Sequence, residues 1–91
     1  MKLRVGYSGQ ARSLAGRPFD DIELPASATL DGLLAAIAKL HGDRMAALVE
    51  HAPQAAPKLL IFVGQEQVAW NAPPAPRDGD DIMLVSPISG G

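Results

Sequence analysis

Few residues in this chain are equipped for chemistry, and several of the usual ones are missing. The 91 residues contain no cysteine. That excludes disulfides, thiolate zinc sites, iron–sulfur clusters and a cysteine nucleophile together, so any sulfur chemistry must use sulfur supplied by another molecule. His41 and His51 are the two imidazoles. Neither stands at a motif spacing from a serine or a paired carboxylate, so both read as solvated surface histidines rather than metal ligands or general bases. Asp78, Asp80 and Asp81 gather around Gly79, a pattern explained by aspartates bonding their own backbone in a turn. No longer run of oxygen ligands follows to make a cation site, and no metal site is predicted. What remains is the segment Ser89-Gly90-Gly91. Glycine has no Cβ, so Gly90-Gly91 can thread a narrow channel and adopt backbone angles closed to other residues. A carboxylate on such a tail can be captured by backbone N–H groups of a partner. On the residues alone, Gly90 and the carboxylate of Gly91 are either a working tail of this kind or an unimportant frayed end.

A tail of this kind needs a body to present it, and the chain is long enough for one domain with one core. Met1, Leu3, Val5 and Tyr7 fall on one parity and Lys2, Arg4, Gly6 and Ser8 on the other, the period-two signature of a half-buried strand. Residues 9–18 form a loop with a helical turn near Ala11 to Ala15. Ile22 and Leu24 alternate with Asp21 and Glu23 in a second strand, which forms a hairpin with the first. Thr29 is placed to cap a helix in which Leu30, Leu33, Leu34, Ile37 and Leu40 make one apolar stripe, with Gly42 as the stop. Asp43 to Glu50 adds a short second helix through Met45, Leu48 and Val49.

Pro53 and Pro57 make His51 to Pro57 an irregular connector. The run Leu59-Leu60-Ile61-Phe62-Val63 is too short for a helix and reads as a strand covered on both faces. Gly64-Gln65 then turns the chain back through Gln67 to Trp70. After the proline-rich loop of residues 71–76, Asp78-Gly79-Asp80 turns into a last strand, Asp81 to Val85. One sheet on one main helix is the economical packing of these elements. The two strongly apolar strands, first and last, are the expected parallel neighbours at its centre, with the helix in the connection between them. The predicted fold class is α+β: a β-grasp, or ubiquitin-like, mixed sheet of four or five strands. Residues 1–87 form the domain and residues 88–91 a flexible tail.

The stretch from Asp78-Gly79-Asp80 through Ser86-Pro87-Ile88-Ser89-Gly90-Gly91 resembles the closing motif of the MoaD/ThiS family of sulfur carriers. There an aspartate-glycine-aspartate turn opens the last strand, proline follows, and the chain stops at Gly-Gly. Ala11-Arg12-Ser13-Leu14-Ala15-Gly16 is similar to the alanine-arginine-x-leucine-x-glycine element of the MoaD branch, the small subunit of molybdopterin synthase, and Thr29 to Leu34 is similar to the family's helix start. The chain departs from the pattern at Ser86-Pro87, where the family has a double proline, and at Gly64-Gln65, in place of an asparagine-glycine hairpin. The resemblance implies a carrier and not an enzyme in its own right, with no tightly bound cofactor. An E1-like enzyme would use ATP to adenylate the Gly91 carboxylate, and a sulfur donor protein would convert it to a thiocarboxylate. The acceptor would be a molybdopterin synthase large subunit or its analogue in molybdenum cofactor biosynthesis. A carrier for thiamine, cysteine or another sulfur-containing metabolite, a ubiquitin-like modifier of lysines, and a β-grasp binding module with an idle terminus stay open as alternatives.

A carrier must dock its tail into other proteins, and the last strand offers the means. If Ile82 and Leu84 meet the helix, Met83 and Val85 lie on the outer face, and an exposed apolar patch there is the expected partner surface. Pro87, Ile88 and Ser89 extend it toward the tail. The net charge of −2, with basic residues scattered, excludes a nucleic-acid footprint. No stretch approaches a membrane span and no secretory signal is visible at the start, so the expected compartment is the cytoplasm.

Overall fold

The computed structural model describes residues 1–49, 59–69 and 72–86. Among the described residues, five strands and three helices follow in the order β1 (Lys2–Gly9), α1 (Gln10–Ala15), β2 (Phe19–Glu23), α2 (Leu30–His41), α3 (Asp43–Val49), β3 (Leu60–Val63), β4 (Glu66–Gln67) and β5 (Asp81–Ser86). The strands form one sheet in the order β2-β1-β5-β3-β4. As the two apolar strands predict, β1 and β5 are parallel neighbours, with Val5 opposite Ile82 and Tyr7 opposite Leu84. β2 runs antiparallel to β1, and β3 runs antiparallel to β5.

Period-two alternation sends Leu3, Val5, Tyr7, Ile82, Leu84 and Ile61 to one side of the sheet, where all are buried. Against them packs α2, through Leu30, Leu33, Leu34 and Ile37. Each such side chain taken from water contributes about 1.5–3 kcal/mol. Thr29 caps the helix as its type predicts, its hydroxyl accepting from Gly32 N at 3.1 Å. Gly42 ends it at φ 93°, a conformation that favours glycine. α3 adds Met45 and Val49 to the same core.

The structure corrects two expectations. Leu40 leaves the core and is 56% exposed. Leu30, Leu34 and Ile37 are spaced four and three residues apart, and the next position in that rhythm is His41, not Leu40. Leu40 falls on the same edge of the helix as Leu33, but in the final turn no described element covers it. The β3 run is also not covered on both faces: Leu59 and Ile61 are buried while Leu60 and Phe62, on the other parity, are only half-buried, because the described helices pack on the side of Leu59 and Ile61.

The start of β5 is fixed by the aspartate turn, in which Asp80 bonds the turn's own backbone as expected while Asp78 reaches across to β1. Asp78 Oδ1 accepts from Lys2 N at 2.6 Å and Asp80 Oδ2 accepts from Arg77 N at 2.8 Å. Gly79, at φ 86°, donates its N–H to the Lys2 carbonyl at 2.7 Å. Only a residue free of a Cβ adopts that backbone cheaply. The turn is thereby stitched to the first residues of β1, and the parallel register follows from it.

Candidate functional site

β5 lies between β1 and β3, and its outward side chains stand in the middle of the helix-free face. By register, Phe19, Gly6, Met83, Phe62 and Gln67 form one row across this face, and Ser8, Val85 and Leu60 the next. Met83 is 40% exposed and Phe19 42%; Val85, Leu60 and Phe62 are half-buried. The outward placement expected of Met83 and Val85 is therefore what the register produces, and the row extends to Phe19, which alternation alone did not single out. The edge of the row is charged: Arg4 stacks over the Phe19 ring at 4.4 Å and its Nε donates to Asp21 Oδ1 at 3.2 Å.

The centre of the row is a seat and not a flat surface. A Cβ placed on Gly6 would stand 2.8 Å from Met83 Cε and 3.1 Å from its Sδ. The thioether end of Met83 thus lies over the Gly6 backbone, in space that any larger residue would take. Ser86, the last residue of β5, pairs with Gly9 at the end of β1. The expected site residues Pro87, Ile88, Ser89, Gly90 and Gly91, along with His51, lie outside the described residues.

A second cluster was not read from the sequence. Asp20 is buried, and its Oδ2 accepts from Tyr7 Oη at 2.7 Å and lies 2.6 Å from His41 Nε2, while its Oδ1 accepts from Arg17 at 3.0 Å. The Tyr7 and His41 rings meet edge to face at 5.6 Å. The surface reading of His41 is therefore corrected: its side chain is only 10% exposed, because it continues the buried rhythm of α2 and meets a carboxylate. Two signals could have found this, the spacing of His41 after Ile37 and the shared parity of Asp20 with Ile22. Burial pushes the Asp20 carboxyl up, but hydrogen bonds from Tyr7 and His41 and the nearby charges outweigh it and hold the group below its ordinary value. Burial, and then the bond to Asp20, raise the Tyr7 phenol. Among the described residues no buried side-chain polar atom lacks a partner. The cluster is thus a satisfied clamp joining β1, β2 and the end of α2, with no free group aimed at a substrate. No group of three metal-ligating side chains is found among the described residues, and no described helix is long and apolar enough to cross a membrane.

The model of the ThiS family matches residues 5–91. This chain belongs to the ThiS family. Solved structures agree with this ThiS-family assignment at the level of the fold. The crystal structure of SAMP1 from Haloferax volcanii is 18% identical with a TM-score of 0.77, each chain fully covered. The Haloferax volcanii HVO 2177 protein is 19% identical with a TM-score of 0.80, over 100% of this chain and 87% of that one. A candidate molybdopterin converting factor subunit 1 from Pyrococcus furiosus is 24% identical with a TM-score of 0.69, over 96% and 98% of the two chains. The fold is the ubiquitin-like β-grasp. No curated protein matches the chain. ThiS-family proteins of this type are small carriers or ubiquitin-like proteins and not catalytic enzymes themselves.

Proposed function

We propose that this ThiS-family protein is a sulfur carrier whose Gly91 carboxylate is the cargo site. An E1-like enzyme joins that carboxylate to the α-phosphorus of ATP, pyrophosphate leaves, and sulfur from a donor protein then displaces AMP to give a thiocarboxylate. The anionic sulfur is handed to an acceptor of the molybdopterin synthase large-subunit type. Residues 1–87 serve as the docking body and residues 88–91 as the tail. The observation that carries the reading is the position of β5: it crosses the middle of an open apolar face and its next residues are Pro87-Ile88-Ser89-Gly90-Gly91. A partner that covers Met83 and Val85 is then placed to receive the tail. No side chain of the body has to do chemistry, which fits a chain without cysteine whose buried Asp20–His41 cluster is fully engaged.

Incubation with the host's activating enzyme, ATP and a sulfur donor tests it. Intact-protein mass spectrometry is expected to show one oxygen replaced by sulfur, located on Gly91 by fragmentation. Deleting Gly91 is expected to abolish the product without lowering the melting temperature, since it removes no side chain from the core. If no activating enzyme of the host adenylates the wild-type chain, or if the deletion transfers sulfur normally, the reading fails.

The second reading, a ubiquitin-like modifier, is favoured by the likeness to SAMP1, a small archaeal modifier protein. Isopeptide adducts of Gly91 on lysines of host proteins would identify it, and the two roles use the same adenylate.

A further inference from the structure

We propose that Met83 is an oxidation site through which a hydroperoxide converts the outer sheet face from apolar to polar. In a chain without cysteine the protein's sulfur lies in three methionines, Met1, Met45 and Met83. Met45 is fully buried in the core. Met1 is half-buried, packs against the core edge and is anchored by its amine donating to the Leu24 carbonyl at 2.6 Å. Met83 alone of the three lies on the open face, and it is 40% exposed. It does not gain that exposure by fraying, because β5 is hydrogen-bonded on both sides.

The step is a two-electron oxygen transfer. The Met83 thioether sulfur attacks the terminal oxygen of the hydroperoxide, an S–O bond forms as the O–O bond breaks, and the leaving oxygen takes the proton to depart as water or an alcohol. Sulfur is oxidised to the sulfoxide and the peroxide is reduced. Methionine sulfoxide is a polar and chiral group, and reductases reverse it.

The seat over Gly6 makes the change more than a local one. In the reduced state the Met83 thioether end rests 2.8–3.1 Å from the position a Gly6 Cβ would take, and Phe62 is the register neighbour of Met83 on the other side. The strand N–H groups around it are committed to the β1–β5 and β3–β5 ladders. A sulfoxide oxygen there finds no free donor in the sheet and takes its hydrogen bonds from water, which the 40% exposure of Met83 admits. The oxidised side chain therefore swings out to water and vacates the seat, so the middle of the row loses its apolar filling. The consequence for docking rests on the carrier reading above; the site selectivity and the vacated seat do not.

The folded protein is treated with hydrogen peroxide, quenched, and followed by peptide mass spectrometry for the gain of one oxygen at each methionine. Met83 is expected to convert at least about tenfold faster than buried Met45. In amide spectra, Gly6 and Phe62 are expected to shift on oxidation of the wild type and to stay still in Met83→Leu, an isosteric change that keeps the fold. Affinity for the activating enzyme is expected to fall on oxidation of the wild type and not of Met83→Leu. Equal oxidation rates at Met83 and Met45, or Gly6 and Phe62 resonances unmoved by oxidation of Met83, overturn the proposal. If the reduced wild type does not bind the enzyme at all, the carrier reading is what fails, and the rates and amide shifts still decide this one.

Discussion

His41 Nε2 lies 2.6 Å from Asp20 Oδ2, so the last residue of the main helix is tied to a carboxylate on the outermost full-length strand. The same oxygen accepts from Tyr7 Oη at 2.7 Å. Replacing Asp20 by alanine strands both donors in a buried site and is expected to destabilise the fold by about 2–3 kcal/mol, read from the urea midpoint. A loss below about 0.5 kcal/mol would mean the clamp is structurally idle.

The same carboxylate gives a pH dependence. Its folded-state pKa is held below the ordinary 3.8, so the stabilisation is present at pH above that value and is lost as pH falls through and below it. Unfolding free energy is expected to decline below about pH 4 and to decline less steeply in Asp20→Asn. Parallel curves for the two proteins would remove Asp20 from the account.

Leu34 and Leu40 provide a contrast within one helix. Leu34→Ala opens a cavity in the core and is expected to cost about 2–5 kcal/mol. Leu40 is mostly exposed, and Leu40→Ala is expected to stay within about 0.5 kcal/mol. Denaturant titration of the pair checks both, and equal losses would put Leu40 back in the core.

Gly6→Ala places a methyl where the end of Met83 now rests. That end is flexible and half open to solvent, so the side chain moves aside and stability is expected to change by no more than about 1 kcal/mol. The Met83 methyl resonance is expected to shift strongly. A large stability loss with no such shift would show that the seat is part of the rigid core.

Val85 stands beside Leu60 and Ser8 in the outer row. Val85→Glu is expected to weaken binding to the activating enzyme and to a sulfur-accepting subunit by at least about tenfold, with circular dichroism unchanged. Titrations that show wild-type affinity for both partners would remove this face as the docking surface.

The sequence made the regular parts of this fold legible because each is declared by its own periodicity. Leu3, Val5 and Tyr7 mark β1, the leucines from Leu30 mark α2, and Ile82 with Leu84 marks β5. The Asp78-Gly79-Asp80 turn was legible as local chemistry at Asp80, which accepts from Arg77 N, but the bond from Lys2 N to Asp78 was not. What escaped depends on residues distant in sequence. Asp20 looks like any strand aspartate until β2 pairs with β1 and α2 brings His41 over it. The seat at Gly6 exists only because Met83 is its neighbour in register. Leu40 was misplaced because periodicity gives the direction of a side chain but not whether the partner surface extends that far.

The parallel seam between β1 and β5 also bears on how the chain reaches its fold. Arg4 is paired with Asp81, so nearly the whole sequence must close into a loop before the central hydrogen bonds form. Loop closure grows more costly with length, and non-local pairing slows folding. The leucine stripe of α2 needs no such closure and can form first, with the seam as the late event. Stopped-flow refolding is therefore expected to relax on the order of milliseconds to seconds, with core-weakening substitutions in β5 mainly accelerating unfolding. Until the seam closes, Met83, Phe62 and Phe19 are not yet one row, and an activating enzyme that recognises the row would meet it only on chains whose folding is finished.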